Sequence, residues 1–421
     1  MQRWLKYSKY LPDTGWKPII YTPENPELPA RDESLLAEIH PDTEVLKRPI
    51  LEPYQWYKWL TRRKTSVNVG FIRSASDGPE SRLEKLSRWI RGNFFIPDAR
   101  VFWIRPSVNY LKAYLADHPA DAIISTGPPH SMHLIAQKLH SATGLPWLAD
   151  FRDPWTGIDF YDDLLLTPRA DRRHRALERS VLSQANAVTT VSRRIGQELQ
   201  QKGAAAGRVH VIANGYDESD APEAPPRPDA RFFTLLHSGS LVPSRNPEGL
   251  WRALAGCCEA DEAFAEKLRI RLIGSVDGSV HQMLKTYDLL EKADILPYMP
   301  HKEALEEVFR ADVLLLLINR TANAEGFLSG KVFEYLMSRR PVLCIGPKDG
   351  DAARLLQETA AGSSYDYADV SGIKAGLLEW FQKYEKQQEI ISPHEARISR
   401  YSRRAQADAI AGLLENIRAQ D

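Results

Sequence analysis

The chain has 421 residues, more than one ordinary core accommodates, and its 43% hydrophobic and 26% charged residues mark a soluble globular protein of two domains. Lys+Arg 55 and Asp+Glu 55 cancel to a formal net charge of zero, which argues against a general nucleic-acid binder. Cys257, Cys258 and Cys344 form no C-x-x-C pair, so neither a zinc ribbon nor a disulfide framework is expected, and a reducing cytoplasm fits best.

The opening "MQRWLKYSKYL" has no signal-peptide core and reads as an amphipathic helix with Trp4, Leu5 and Leu11 as its apolar positions. "KPIIYTP" follows as a strand. "DAIIST", "PWLADF", "AVTTVS", "VHVIA", "FTLLHSG", "RIRLIG", "DILPYM", "DVLLLLI" and "RPVLCIG" read the same way, with helical patterns between them. Such alternation predicts parallel sheets covered on both faces. The longest apolar run, at about 313–318, is far short of the roughly 20 residues of a membrane span. "DESDAPEAPPRPDAR" at 217–231 interrupts the pattern as a linker. The expected fold is therefore α/β, with two doubly wound, Rossmann-like domains facing a cleft: 1–216, and 232–394. A doubly wound domain normally opens with a strand and a glycine-rich turn. The helix-first order predicts that this first strand is missing from the chain, through truncation or a downstream start codon.

Residues 58–105 carry eleven Lys/Arg and four Asp/Glu, with aromatic residues such as Trp59, Trp89, Phe94 and Trp103 interleaved. Two readings stand side by side. One is a solvated insertion with its own small core. The other is contact of residues 56–105 with an anionic membrane surface, which would make the protein peripheral on the inner face of the plasma membrane.

Three stretches carry candidate chemistry. "STGPPHSMHL" is a strand–loop–helix junction in which Gly127 and two prolines fix the turn and His130 opens the helix. His133 reads equally well as a core or capping histidine. "LADFRDPW" ends the next strand with Asp150, Arg152 and Asp153. These form either a turn with a local salt bridge, or a place where Asp150 and Asp153 accept a hydrogen bond from an incoming hydroxyl. The third stretch, "EGFLSGKVFEYLMSRRPVLCIGP" at 325–347, places Lys331 first in a helix, where a cation opposes the helix dipole by roughly 0.3–1 kcal/mol. Val332, Phe333, Leu336 and Met337 share one face of that helix, and Lys331, Glu334 and Ser338 the other. Either Lys331 and Glu334 are a surface pair in the weaker order, or an anion docks at the helix N-terminus beside Lys331, approached closely through Gly326 and Gly330. No carboxylate or histidine cluster has metal-ligand spacing, so no metal is expected.

"SGKVFEYLMSRRPVLCIG" resembles the nucleotide-sugar site of retaining glycosyltransferases of the GT-B fold, in the large family-four group. "ISTGPPHSMHLIAQKLHSATGLPWLADFRDPW" resembles the acceptor domain of its bacterial exopolysaccharide members. "VTTVS", "VIANGYD", "HSGSLVPSRNPEGLWRAL" and "YMPHKEALEEVFRADVLLLL" continue the likeness in order, over nearly the whole chain. The resemblance implies that Glu334 binds the nucleotide ribose and that Arg245 and Lys331 lie at the diphosphate and stabilise its departure. It implies that Tyr298 and Met299 meet the base, and that Gly239 and the loop Gly326, Phe327, Leu328, Ser329 and Gly330 line the donor. Gly127, His130, His133 and Arg152 would lie on the acceptor side, and a C-terminal helix within 395–421 would complete the N-terminal domain. The family's sugar-binding glutamate stands seven residues before its partner. Here Glu325 and Glu334 have eight residues between them and the expected position holds Gly326, so Glu325 is expected not to touch the sugar.

The implied activity is metal-independent transfer, with retention, from a UDP-sugar to a glycan or lipid-linked acceptor. No cofactor is implied. A nucleotide-sugar epimerase of the same fold is one alternative, separated by turnover without acceptor. A protein that binds nucleotide sugars without catalysis is the other, separated by UDP binding without transfer or hydrolysis. An NAD enzyme is disfavoured, since no G-x-G-x-x-G follows a strand.

Overall fold

The computed structural model describes residues 2–26, 33–52, 82–158, 161–321 and 324–419. The chain divides into two compact units, residues 1–213 with 407–421, and residues 214–406.

In the first unit four parallel strands lie in the order β3 (Ile123–Gly127), β4 (Trp147–Phe151), β5 (Ala187–Thr190) and β6 (Val209–Val211). β1 (Ile19–Pro23) and β2 (Glu44–Arg48) pair in parallel as a separate two-stranded sheet. Alternation along β4 divides its side chains between two cores. Trp147, Ala149 and Phe151 meet Leu134, Leu139, Val181 and Leu182 from the helices Ser131–Thr143 and Pro168–Gln184. Leu148 joins Tyr7, Leu11, Ala187 and Ile212, against Ala407, Ile410 and Leu414 of the C-terminal helix Arg403–Arg418.

The first helix, Gln2–Tyr10, is oriented differently from the sequence expectation. Trp4 and Leu5 are only half-buried, while Arg3, Lys6, Tyr7 and Tyr10 are buried. Two cations can go inward because each meets a carboxylate: Arg3 pairs with Asp150 at 3.3 Å and Lys6 with Glu38 at 2.7 Å.

The second unit is a six-stranded parallel sheet in the order β12-β11-β10-β7-β8-β9. Its strands are β7 (Phe233–Ser238), β8 (Leu268–Ile273), β9 (Ala293–Leu296), β10 (Val313–Leu317), β11 (Val342–Ile345) and β12 (Gly362–Tyr365). The chain starts at β7, builds outward through β8 and β9, then crosses to the other side of β7 to lay down β10, β11 and β12. The order therefore reverses between β7 and β10, and in a doubly wound sheet the crevice at the carboxyl ends of those two strands is where ligands sit. The core on one face packs Phe233, Leu235, Leu315 and Leu317 against helices Glu248–Ala260 and Val370–Glu385.

All ten expected strands are present. β2 and β12 were not anticipated. "EVLKR" carries three charges and "GSSY" has low β propensity, and each lies at a sheet edge, where strands need no continuous apolar run. Segment 217–231 lies within the second unit, where Asp217 is buried and its side chain accepts from Ser219 N to start a short 3-10 turn.

Candidate functional site

The chain leaves β7 through Gly239, which has φ +135° and donates its N–H to Ile273 O at 2.7 Å. A Cβ on Gly239 would lie 1.5 Å from Lys331 Nζ, so glycine is required twice, by the backbone and by the lysine head lying over it. Lys331 is the second residue of helix Gly330–Ser338, after Gly330, and its N–H is capped by Ser329 Oγ. Ser338, expected on the solvent side, is buried and donates to Tyr335 O. Tyr335 is buried beneath the site, and its hydroxyl accepts from Ser238 N at 3.2 Å, tying this helix to the end of β7.

Arg245 ends the 3-10 turn Pro243–Arg245. Its Nε donates to Asn319 Oδ1 at 2.7 Å and its Nη1 to Ser240 O at 3.0 Å, which joins the loops after β7 and β10. Burial lowers the Lys331 pKa, Arg245 acts in the same direction, and Glu334 opposes both. Burial also lowers that of Arg245. Beneath them His237 is buried, held by Leu315 O at 2.9 Å, and pushed down to about 3 by burial, against that hydrogen bond and with help from the two cations. Two half-buried cations thus stand together at the switch point. Among the described residues no acceptor pairs with Lys331 Nζ: the nearby carboxylate, Glu334, is bonded instead to His301 Nε2 at 3.0 Å.

His301 was not singled out in the sequence. It opens helix His301–Arg310, and its partner is 33 positions away, so no local spacing marks it. Asn319, the orienting partner of Arg245, was missed for the same reason. Tyr298 is 86% exposed and Met299 half-buried, both in the loop after β9. In the loop before the helix Phe327 is exposed, and Gly326, Leu328 and Ser329 are half-buried. A Cβ on Gly330 would meet nothing within 4 Å, so no protein contact demands glycine there. Glu325 is exposed.

In the first unit the carboxyl ends of β3 and β4 gather the remaining candidates. A Cβ on Gly127 would lie 2.5 Å from His133 Nε2 and 3.0 Å from His130 Nδ1. His130 is buried and stacks on Trp155 with centroids 4.6 Å apart. His133 stacks on Phe151 at 4.4 Å, and its Nδ1 meets Ser125 Oγ at 2.8 Å. Burial holds both imidazoles neutral, His130 well below the usual histidine range and His133 at about 3. Arg152 is half-buried, with Nη2 donating to Pro128 O. Asp153 is exposed.

Asp150 is a correction. Its carboxylate has no exposure and accepts from Trp4 Nε1 (2.6 Å), Thr189 Oγ1 (2.8 Å), Thr126 Oγ1 (2.9 Å) and Arg3 Nη2 (3.3 Å). Burial alone would raise its pKa, but Arg3 and these hydrogen bonds hold it below the usual range. Both oxygens are occupied, so this side chain fastens the first helix to the sheet and offers no acceptor to a substrate hydroxyl.

Among the described residues no group of three His, Cys, Asp or Glu could hold a metal ion, and no helix is long and apolar enough to cross a membrane.

Two parallel α/β units with a cationic site at a topological switch point define a class, the GT-B fold of glycosyltransferases. Residues 52–215 match the family model of the glycosyl transferase 4-like domain, and that segment is a domain of this family. Similar solved structures include a glycosyltransferase from Rickettsia africae, 12% identical with TM-score 0.62, covering 99% of this chain and 94% of that one. Sucrose-phosphate synthase from Thermosynechococcus elongatus is 13% identical with TM-score 0.58, covering 99% and 92%. HepE from Anabaena, in complex with UDP and glucose, is 14% identical with TM-score 0.56, covering 99% and 95%. At these identities the likeness establishes the fold. A search of curated protein sequences returns no match.

Proposed function

We propose that the chain transfers a hexosyl group from a UDP-sugar to a glycan or lipid-linked acceptor, in polysaccharide or related glycan synthesis. One observation carries this reading: the Lys331 ammonium lies beside Arg245 at the switch point of the second unit, with no protein carboxylate paired to it. Like charges held together at a half-buried site cost stability unless an anion joins them. A nucleoside diphosphate supplies that anion, and the N-terminus of the Gly330–Ser338 helix adds its dipole and its unpaired N–H groups. Gly330 leaves open space for the phosphates. Glu334 lies one turn further on, where ribose hydroxyls replace or join His301 as its donors. The bound sugar nucleotide in the HepE neighbour is in keeping with this choice of donor.

In the reaction the bond between the anomeric carbon and the diphosphate oxygen breaks, and a bond to the acceptor oxygen forms on the same face. Arg245 and Lys331 stabilise the charge that develops on the leaving diphosphate, and they can do so without a resident metal. The leaving phosphate takes the acceptor proton. Gly127, His130, His133, Arg152 and Asp153 form the acceptor side in this reading; Asp150 positions the sheet beneath them.

The test is isothermal titration of UDP into wild type and Arg245→Ala, followed by a survey of UDP-sugars with and without glycan acceptors. The reading expects wild-type binding, weakened in the variant, with acceptor-dependent release of UDP that survives EDTA and a retained anomer by NMR. Epimerisation of donor alone would establish the epimerase instead. Binding without any turnover would leave a nucleotide-sugar sensor, and no binding would reject the site.

A further inference from the structure

Helix Arg82–Phe94 breaks the usual rule for an amphipathic helix. Its apolar residues Leu86, Trp89, Ile90 and Phe94 recur at i, i+3, i+4 and i+8, the spacing that normally faces a core. Here they face outward. Leu86 is 52% exposed and Phe94 68%, and Trp89 and Ile90 are exposed as well. The helix is nevertheless fixed to the body at its last turn. A Cβ on Gly92 would lie 2.6 Å from Leu164 O, Asn93 Nδ2 donates to Leu165 O at 3.1 Å, and Thr167 N donates to Asn93 Oδ1 at 2.7 Å. Trp89 and Phe94 touch edge to face at 5.7 Å, so the patch is continuous, and exposed Phe102 lies a short way along the chain. Residues 82–105 hold six Lys/Arg and two Asp/Glu in a chain whose overall charge is zero. Lys85 is exposed among them.

We propose that this helix docks the protein on an anionic lipid bilayer, its apolar residues entering the boundary between headgroups and acyl chains. An outward apolar stripe alone would suit several occupants. The cation excess confined to the same segment of a neutral protein selects a negatively charged surface, and the combination of one-sided aromatic and aliphatic residues with Lys/Arg is the chemistry of an interfacial helix. A second copy of this chain would bring the same cations against one another, which disfavours it. The proposal depends on the shape and charge of the first unit alone, and it stands or falls separately from the donor reading.

The full chain is sedimented with vesicles of phosphatidylcholine, and of phosphatidylcholine mixed with phosphatidylglycerol. Binding is expected only to the anionic vesicles and should weaken with added salt. Leu86→Gln/Ile90→Gln should lose about tenfold or more in partitioning, and Lys85→Glu should weaken it less. Both variants should keep the wild-type melting temperature and UDP affinity, which separates this failure from failure of the nucleotide site. Absence of anionic-vesicle binding overturns the proposal, as does equal binding by the double variant. So does a dimer in solution that the double variant dissociates. An Ile90→Cys thiol already shielded from alkylation before vesicles are added would also overturn it, showing that the chain itself covers the patch.

Discussion

Lys331→Met should move affinity and stability in opposite directions. The ammonium is half-buried over Gly239, beside Arg245, and no described carboxylate is paired with it. Methionine retains most of the length and packing of the side chain and removes the charge. In the free protein that relieves a desolvated cation and its repulsion with Arg245, so the melting temperature should hold or rise. In the complex it deletes one charge-assisted contact to the diphosphate, worth about 1.5–3 kcal/mol, or roughly 10–150-fold in UDP affinity. Calorimetry for affinity and a thermal scan without ligand measure the two effects. At one hundred times its dissociation constant UDP should stabilise wild type by about 2.7 kcal/mol, and at that same concentration the variant should gain little. A variant that loses stability while binding UDP like wild type would refute the reasoning, because Lys331 would then be a packing residue.

Glu334→Gln should weaken UDP by about 1–3 kcal/mol and dUDP by much less, since a neutral amide is the poorer acceptor for ribose hydroxyls; wild-type discrimination between the two in calorimetry would count against the assignment. Gly239→Ala should abolish UDP binding by displacing the Lys331 head and straining φ +135°, whereas normal binding would mean the lysine does not occupy that place. Asp150→Ala should cost about 3–5 kcal/mol by leaving buried Arg3 without its carboxylate, and hydrogen exchange should show residues 2–10 opening first. Asp312 has its pKa raised to about 6 by burial, against its hydrogen bond from Thr234 N at 2.8 Å and the charge of Arg340. Because the folded form holds this proton more tightly than the unfolded one, its stabilising share is complete near pH 4 and is lost as pH rises through about 6. Asp312→Asn should therefore gain on wild type across that window, up to about 3 kcal/mol at neutral pH in denaturant titrations; a difference independent of pH would contradict the shift.

The strands were legible because each is a short apolar run between turn signals, and a parallel sheet buried on both faces demands that pattern. Lys331 was legible because a cation in the first turn of a helix is locally unfavourable and so calls for an explanation. Asp150 misled for a related reason. Three charges within four residues at a strand end look like a site, and the sequence gives no sign that Arg3 and Trp4, nearly 150 positions away, close over one of them. His301 and Asn319 were invisible on the same ground, since their roles exist only once separate strands and helices bring them to Glu334 and Arg245. The helix Gln2–Tyr10 was recognised while its inward face was not, because buried cations defeat any rule based on apolar spacing.

The Lys331 head fills the space that a side chain at position 239 would need, although the two residues are 92 positions apart and belong to different elements. In effect they are a lock and its key encoded in two places. A chimera that joined this β7 turn to another protein's segment around position 331 would inherit one half of the fit, leaving either a hole over the glycine or a collision with a new side chain. Crossovers placed anywhere between 239 and 331 should therefore yield folded proteins with damaged anion binding far more often than crossovers outside that interval, and shuffled libraries of this fold are best built with both positions carried from one parent.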